Sequence, residues 1–410
     1  MSGGEQVTWI RAGAAVIDGE LVTDRAIRIV DGRVAEITSG GRAPAEALAA
    51  SGATLIPGFI DAHAHLSFGY ADDHETVRSI AEHSSVADLQ TQIRRHAREC
   101  LAGGVTTVRD CGDRDLVSLA VRDEIRRGEI PGPAMLAAGP PVTTPGGHLN
   151  WCGGALSADA DIAAAVDRLA DAGADLVKVL ASGGGMTAES DPHHPQFTRE
   201  RLESLVGRAR ERRLPVAAHA HSTDAIALSV AAGVSTIEHC SWKGADGTTD
   251  LRLDLVDQIA AQGIAVVLTM AGIQRVLLPG DHDPAHVQSA RESSATGDLV
   301  GDFAWARIMR ERGCELLIAS DAGVRFTPFA GFIDSVRCGM VALDLSAVEA
   351  VALATAAPAR ALGISGQAGT IAEGRIADLV LLDGVLTASA RELPGIAAVW
   401  SRGHRVPATA

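Results

Sequence analysis

Aromatic side chains are scarce in this chain: seven Phe, five Trp and one Tyr make up 3% of 410 residues. So few rings give little hint of a stacking platform for a ligand. Lysine is scarcer still, with Lys178 and Lys243 the only two among 36 basic residues. A lysine at a chemically interesting place therefore invites a reason, although chance suffices for Lys243. The six cysteines (Cys100, Cys111, Cys152, Cys240, Cys314 and Cys338) are scattered and form no Cys-x-x-Cys. They read as reduced core thiols of a cytoplasmic protein rather than as a disulfide frame. The segment Met1–Arg11 lacks the basic start and apolar stretch of a signal peptide. No uncharged apolar run reaches the roughly 18 residues of a spanning helix. Positive charge is in deficit too: the formal net charge of −15 argues against nucleic-acid or membrane partners.

What the chain has is hydrophobic residues, 47% of the total, enough for a large buried core. Residues 7–56 alternate apolar and polar, with Asp18-Gly19 and Asp31-Gly32 between strand-like runs, the mark of hairpins. The same texture returns in Gly369–Leu382 and Ala397–Trp400. A small β-sandwich domain built from both chain ends is expected, comprising 1–57 and 365–410. Between them, 58–364, short apolar strands alternate with Ala/Arg/Glu-rich helical stretches. Strands are expected at Ile56–His63, Thr106–Asp110, Ala134–Ala138, Leu176–Leu180, Val216–Ala220, Thr236–His239, Ala265–Thr269 and Leu316–Ala319. Amphipathic helices are expected at 159–172, 198–212 and 251–262. Strand–helix alternation means parallel strands with right-handed crossovers, and eight units suit a (β/α)₈ TIM barrel in the α/β class. An open doubly wound sheet is the other arrangement, but no Gly-x-Gly-x-x-Gly turn follows the first strand.

Chemistry in such barrels gathers at the C-terminal ends of the strands. Those ends carry His63 and His65, Lys178, His219 and His221, His239, and Asp321. His63 and His65, like His219 and His221, are two apart on a strand and so point to one side. His63 and His65 can therefore close on one metal ion together. His74, His83, His96, His193, His194, His282, His286 and His404 fall in helical or loop stretches and read as ordinary surface residues.

Taken in order, Pro57-Gly58-Phe59-Ile60-Asp61-Ala62-His63-Ala64-His65, Val177-Lys178-Val179, Ala218-His219-Ala220-His221, Ile237-Glu238-His239 and Ala319-Ser320-Asp321-Ala322 resemble the signature of the amidohydrolase superfamily. Within it the chain is most similar to the prolidase-like and imidazolonepropionase-related enzymes. The resemblance implies a binuclear centre of two divalent metal ions, zinc first among them. His63, His65 and Asp321 would hold the buried ion and His219 and His239 the more exposed one. Lys178 would bridge both as its N6-carboxylated form, an anionic two-oxygen ligand that a lysine ammonium is not. A bridging hydroxide would attack the scissile carbonyl, with Asp321 moving the proton. His221 would donate to the developing oxyanion. His148, in the Gly-rich loop 143–148, and Arg325, a candidate clamp for a carboxylate, would touch substrate. The loops 183–197 and 272–302 are candidate lids.

A small-molecule amide, X-Pro or N-acyl amino acid dipeptide, cyclic amide or carbamate is the expected substrate; a homo-oligomer is left open. Two rivals remain. A deaminase of the same superfamily would show His-x-x-Glu at the fifth strand, where this chain has Ser222 after His219-Ala220-His221. A non-catalytic barrel scaffold would lack several of these ligands.

Overall fold

The structure is a computed structural model that describes residues 7–157, 160–293 and 298–407. Four strands come first: β1 (Val7–Ile17), β2 (Glu20–Val30), β3 (Arg33–Ser39) and β4 (Leu48–Pro57). The parallel strands follow as β5 (Phe59–Ala64), β6 (Val105–Asp110), β7 (Ala134–Ala137) and β8 (Val177–Leu180). Then come β9 (Val216–Ser222), β10 (Thr236–Lys243), β11 (Ala265–Thr269) and β12 (Leu316–Ala319). The chain closes with β13 (Leu379–Leu382), β14 (Ile396–Ser401) and β15 (His404–Arg405).

Both chain ends meet in one seven-stranded sheet of order β15-β14-β13-β4-β1-β2-β3. Its hairpins turn where expected: Asp18-Gly19 and Asp31-Gly32 all have positive φ, which matches the right-handed twist of the strands they join. Ile10, Ile27, Ile29, Leu55, Leu379 and Trp400 are buried together on this sheet. A single sheet replaces the expected sandwich among the described residues, because β4 pairs with β1 on one edge and β13 on the other.

The middle of the chain is an α/β unit with parallel strands, in sheets of order β12-β11-β10-β9-β8 and β5-β6-β7. Continuous ladders do not run across the two junctions. Isolated bridges span them: Val142 with Val179, and Ala64 with Ala322. At the first, Val142 N–H donates to Lys178 O at 2.8 Å and Leu180 N–H to Val142 O at 3.0 Å. At the second, His65 N–H donates to Ala322 O at 2.8 Å and Asp321 N–H to His63 O at 2.9 Å. Both junctions thus run through residues that the sequence singled out for chemistry.

The expected first strand is divided. Ile56 belongs to β4, and Gly58 separates that strand from β5. A Cβ on Gly58 would lie 2.1 Å from Thr106 Oγ1 and 2.6 Å from Thr106 Cγ2, so only glycine lets β4 pass so close to β6. The expected helices form at Ile162–Asp171, Arg199–Glu211 and Leu253–Gln262. The stretch 272–302, read as a loop, instead contains a 3-10 helix at Gly272–Leu277 and an α-helix at Pro284–Ser293.

Gly58→Ala should lower stability by about 1–3 kcal/mol, the usual range for forcing atoms into a packed site. The expected readout is a lower urea midpoint at unchanged slope. Thr106→Ala in the same chain should recover part of the loss; equal midpoints for wild type and Gly58→Ala would contradict the close approach.

Candidate active site

All nine residues picked from the sequence line one pocket of about 560 Å³: His63, His65, His148, Lys178, His219, His221, His239, Asp321 and Arg325. They reach it from the ends of β5, β8, β9, β10 and β12 and from the loops beyond β7 and β12. Packing brings the rings together, with centroids 4.5 Å apart for His219 and His239, 4.6 Å for His221 and His239, and 5.1 Å for His63 and His239. His148 stands against His219 at 4.7 Å.

Five of these imidazoles are each aimed by a hydrogen bond on one nitrogen, which frees the other. His63 Nδ1 bonds Glu238 Oε2 at 2.6 Å and His65 Nδ1 bonds Gly112 O at 3.1 Å. His221 Nδ1 meets Ser241 Oγ at 2.9 Å, and His239 Nδ1 meets Thr269 Oγ1 at 2.7 Å. His219 is the exception, because its Nε2 is the anchored atom, 3.0 Å from Gly183 O. Burial, reinforced by neighbouring basic groups, holds His65, His148, His219, His221 and His239 well below the ordinary imidazole pKa. These rings are therefore neutral near pH 7, the form that binds a metal.

Two further observations fit a cation here. The Nζ of Lys178, a residue only 1% exposed, and Asp321 Oδ1 are buried with no hydrogen-bond partner. Orphaned buried polar atoms are rare and call for a cause. His63 Nε2 and His65 Nε2 lie 3.5 and 3.6 Å from Asp321 Oδ1, too long for hydrogen bonds. Ligand atoms about 2.0–2.2 Å from a shared ion would stand at roughly this separation. Ligand atoms also converge within 4.8 Å in two sets that face the pocket, His219–His221–His239 and His63–His239–Asp321. His221 is thus as close to a metal-holding arrangement as His219.

The backbone is strained at the same place. His239, Cys240 and Trp242 on β10 and Asp321 after β12 have φ of 67°, 52°, 52° and 59°. Such left-handed conformations cost a non-glycine residue of order 1–3 kcal/mol and persist where surroundings enforce them. One enforcing element is Asp61, which accepts hydrogen bonds from the Ser320 hydroxyl and from Ser320 N at 3.1 Å. That contact ties the end of β12 to β5.

Beneath the pocket lies a network absent from the sequence reading. Arg109 and Glu238, 3% and 0% exposed, form an ion pair at 2.8 Å, and Arg109 also donates to Thr236 Oγ1 and Ala62 O. Burial alone would raise the Glu238 carboxyl, but the Arg109 guanidinium beside it holds it below the usual carboxylate range. The available signal was a charged residue inside each of two short strands, Arg109 in Val105–Asp110 and Glu238 in Thr236–His239.

Several expectations change. Lys243, read as a chance survivor, lines the pocket, as do His74 and His193. His96, read as a surface residue, is fully buried, stacked on Phe329 at 4.0 Å with Nδ1 bonded to Leu66 O. Helix periodicity alone did not mark it, since a polar ring can satisfy a core position if its nitrogen finds a carbonyl. Ser222 does not face the pocket; its hydroxyl caps the helix Thr223–Ala232 by accepting from Ala225 N.

Known proteins share this architecture. The Amidohydrolase family matches residues 54–406. An ochratoxinase of Aspergillus niger is 27% identical over 92% of this chain and 81% of its own length. An imidazolonepropionase of Saccharopolyspora erythraea is 27% identical over 95% of each chain. The crystal structure of a Xaa-Pro dipeptidase with bound methionine in its active site superposes with a TM-score of 0.77 and 25% identity, covering 98% of this chain and 99% of that one.

Glu238→Gln should destabilise the protein by about 3–5 kcal/mol, because Arg109 is then left buried without its counter-charge. The depressed carboxyl also fixes the sign with pH. Its contribution is full above the ordinary value of 4.5 and fades as pH falls through the lowered one. Urea unfolding of both proteins at neutral pH checks this, and coincident curves would show that the pair carries no such load.

Proposed function

The chain belongs to the amidohydrolase family, and on that premise we propose that it cleaves an amide of an N-acyl amino acid or X-Pro type, a cyclic amide or a carbamate with two divalent cations. Hydrolysis of carbon–nitrogen bonds is the class its relatives define. We take the eight parallel strands as a (β/α)₈ barrel over 58–364, with 1–57 and 365–410 as a small β domain. The bridges at both junctions support that reading.

Lys178 carries the functional reading. A buried amine without a hydrogen-bond partner, on the pocket that both groups of ligand atoms face, calls for a cause. Carboxylated on Nζ by carbon dioxide, with loss of a proton, it becomes an anion able to reach both groups. His63, His65 and Asp321 would then hold one ion and His219 and His239 the other, with zinc the metal best suited to so many imidazoles. When bound, the ions supply Lewis acidity and bring the pKa of water from about 15.7 towards neutrality.

The chain's own groups do the rest. Asp321 accepts a proton from the attacking water at a carboxylate oxygen and hands it to the departing nitrogen. His221, fixed through Nδ1 on Ser241, presents Nε2 to the substrate carbonyl oxygen as charge develops there. His148 and Arg325 line the space where substrate would lie. Deamination is disfavoured by Ser222, whose hydroxyl is committed to a helix cap. The partner is a small molecule, and the six free, buried cysteines suit a cytoplasmic setting.

Metal analysis of the purified protein should find about two equivalents, as a binuclear site requires. Protein that takes up none after zinc or manganese supply would instead be a scaffold. Lys178→Ala should lose both metal and hydrolysis of N-acyl amino acids, X-Pro dipeptides, lactams or carbamates. Bicarbonate with a short-chain carboxylic acid should restore part of the activity; full activity in the variant would refute the carbamate.

The neighbouring pair separates ligand from substrate contact. His219→Ala should lower metal content, whereas His221→Ala should keep it and lose roughly 10²–10³ in turnover, the usual effect of removing one oxyanion donor. Metal titration with kinetics on both variants decides the matter. The reverse pattern would exchange the two roles.

A further inference from the structure

The second lysine of the chain has no place in the reaction just described. Lys243 ends β10, half-buried, with its side chain on the same pocket. Its position is built rather than incidental. His239 pairs with Ala220 on β9, but Lys243 pairs with Ser222, so β10 spends four residues where β9 spends two. The surplus is taken up by the left-handed residues His239, Cys240 and Trp242, and the Trp242 ring is fully buried beneath. This bulge sets Lys243 beside Ser222, next to His221. A bridge to Thr249 and a hydrogen bond of 2.8 Å from Gly244 N to Thr248 O close the rim around it.

Among the described residues no carboxylate lies within ion-pair distance of the Lys243 ammonium. Asp191, the acid whose charge it feels, is bonded by His193 N at 2.8 Å and His194 Nδ1 at 2.7 Å. Arg325, the other cation at the rim, faces the charge of Glu292. A half-buried cation without a partner, on the wall of a pocket, is a site for an anion that arrives with the ligand.

We propose that Lys243 anchors a carboxylate of the substrate, so that the cleaved amide belongs to an N-acyl amino acid or a dipeptide with a free C-terminal carboxylate. This rests on the amide-hydrolysis reading and narrows it. With the scissile carbonyl at His221, the carboxylate of the amino acid on the amide nitrogen is only a few bonds away, and strand pairing sets Lys243 beside the residue that follows His221 on the same pocket. The flexible four-carbon stem and point charge of lysine suit such a contact.

The test compares acids with their neutral isosteres. Metal-loaded wild type and Lys243→Met are screened by thermal shift against the N-acetyl derivatives of the twenty amino acids and the matching carboxamides. At least one acid should raise the melting temperature of wild type, its carboxamide should not, and Lys243→Met should lose the response. For cleaved substrates, the variant should show a KM raised about 10- to 100-fold for the acid and an unchanged kcat/KM for the carboxamide. A carboxylate that merely ligated the metals would stabilise the variant as well, and that result overturns the proposal. So does equal binding of acids and carboxamides by wild type, or no response to any acid. Binding that depends on Lys243 without cleavage of any bound acid would uphold the anchor and reject the hydrolytic reading.

Discussion

A carboxylate buried in the middle of the parallel strands is the constraint on which this architecture turns. Glu238 is fully enclosed, where an uncompensated charge would cost several kcal/mol. It is tolerable because Arg109 from β6 meets one oxygen and His63 from β5 meets the other. That single group therefore sets the mutual placement of three strands. It also fixes which nitrogen of His63 faces the pocket. Outer partners of this kind recur around the site, in Gly112 for His65, Ser241 for His221 and Thr269 for His239. The rings are oriented before anything binds, which is what a fast site for small ligands requires.

Order at the pocket is obtained against local preference. Asp18 and Asp31 take positive φ in hairpin turns, where short polar side chains tolerate it. His239, Cys240, Trp242 and Asp321 take it at strand ends, where no turn chemistry asks for it. The hydrogen bonds of Asp61 to Ser320 and the enclosure of Trp242 show what opposes relaxation. Strain and pocket coincide in space, the pattern expected where backbone geometry serves a site.

Much of this was legible in the residues. Short, largely apolar runs marked most of the eight parallel strands, because strands covered on both faces have no polar side to interrupt them; Thr106–Asp110 and Thr236–His239 were placed by the strand–helix alternation around them. Chemistry at strand ends followed from where polar residues broke those runs. Four kinds of feature escaped. Glu238 and Arg109 compensate each other across strands far apart in sequence, and pairing of that kind has no local signature. The division of the first strand at Gly58 depends on the approach of Thr106. His96 and Lys243 looked ordinary because burial and pocket placement come from tertiary packing. The helix Pro284–Ser293 lies in a polar stretch with weak periodicity, and so was read as loop.

The seven-stranded sheet has a consequence for how the chain is made. β4 lies between β1 and β13, with Pro57 opposite Leu379. During synthesis, β1 to β4 emerge before β13, and one edge of β4 has no native partner until β13 has left the ribosome. An open, largely apolar edge is a template for pairing with other nascent chains. Long-range closure of this kind is slow. β13 thus acts as a latch, and premature termination shortly before residue 379 would release a product whose parallel strands are all present but whose first sheet remains adhesive.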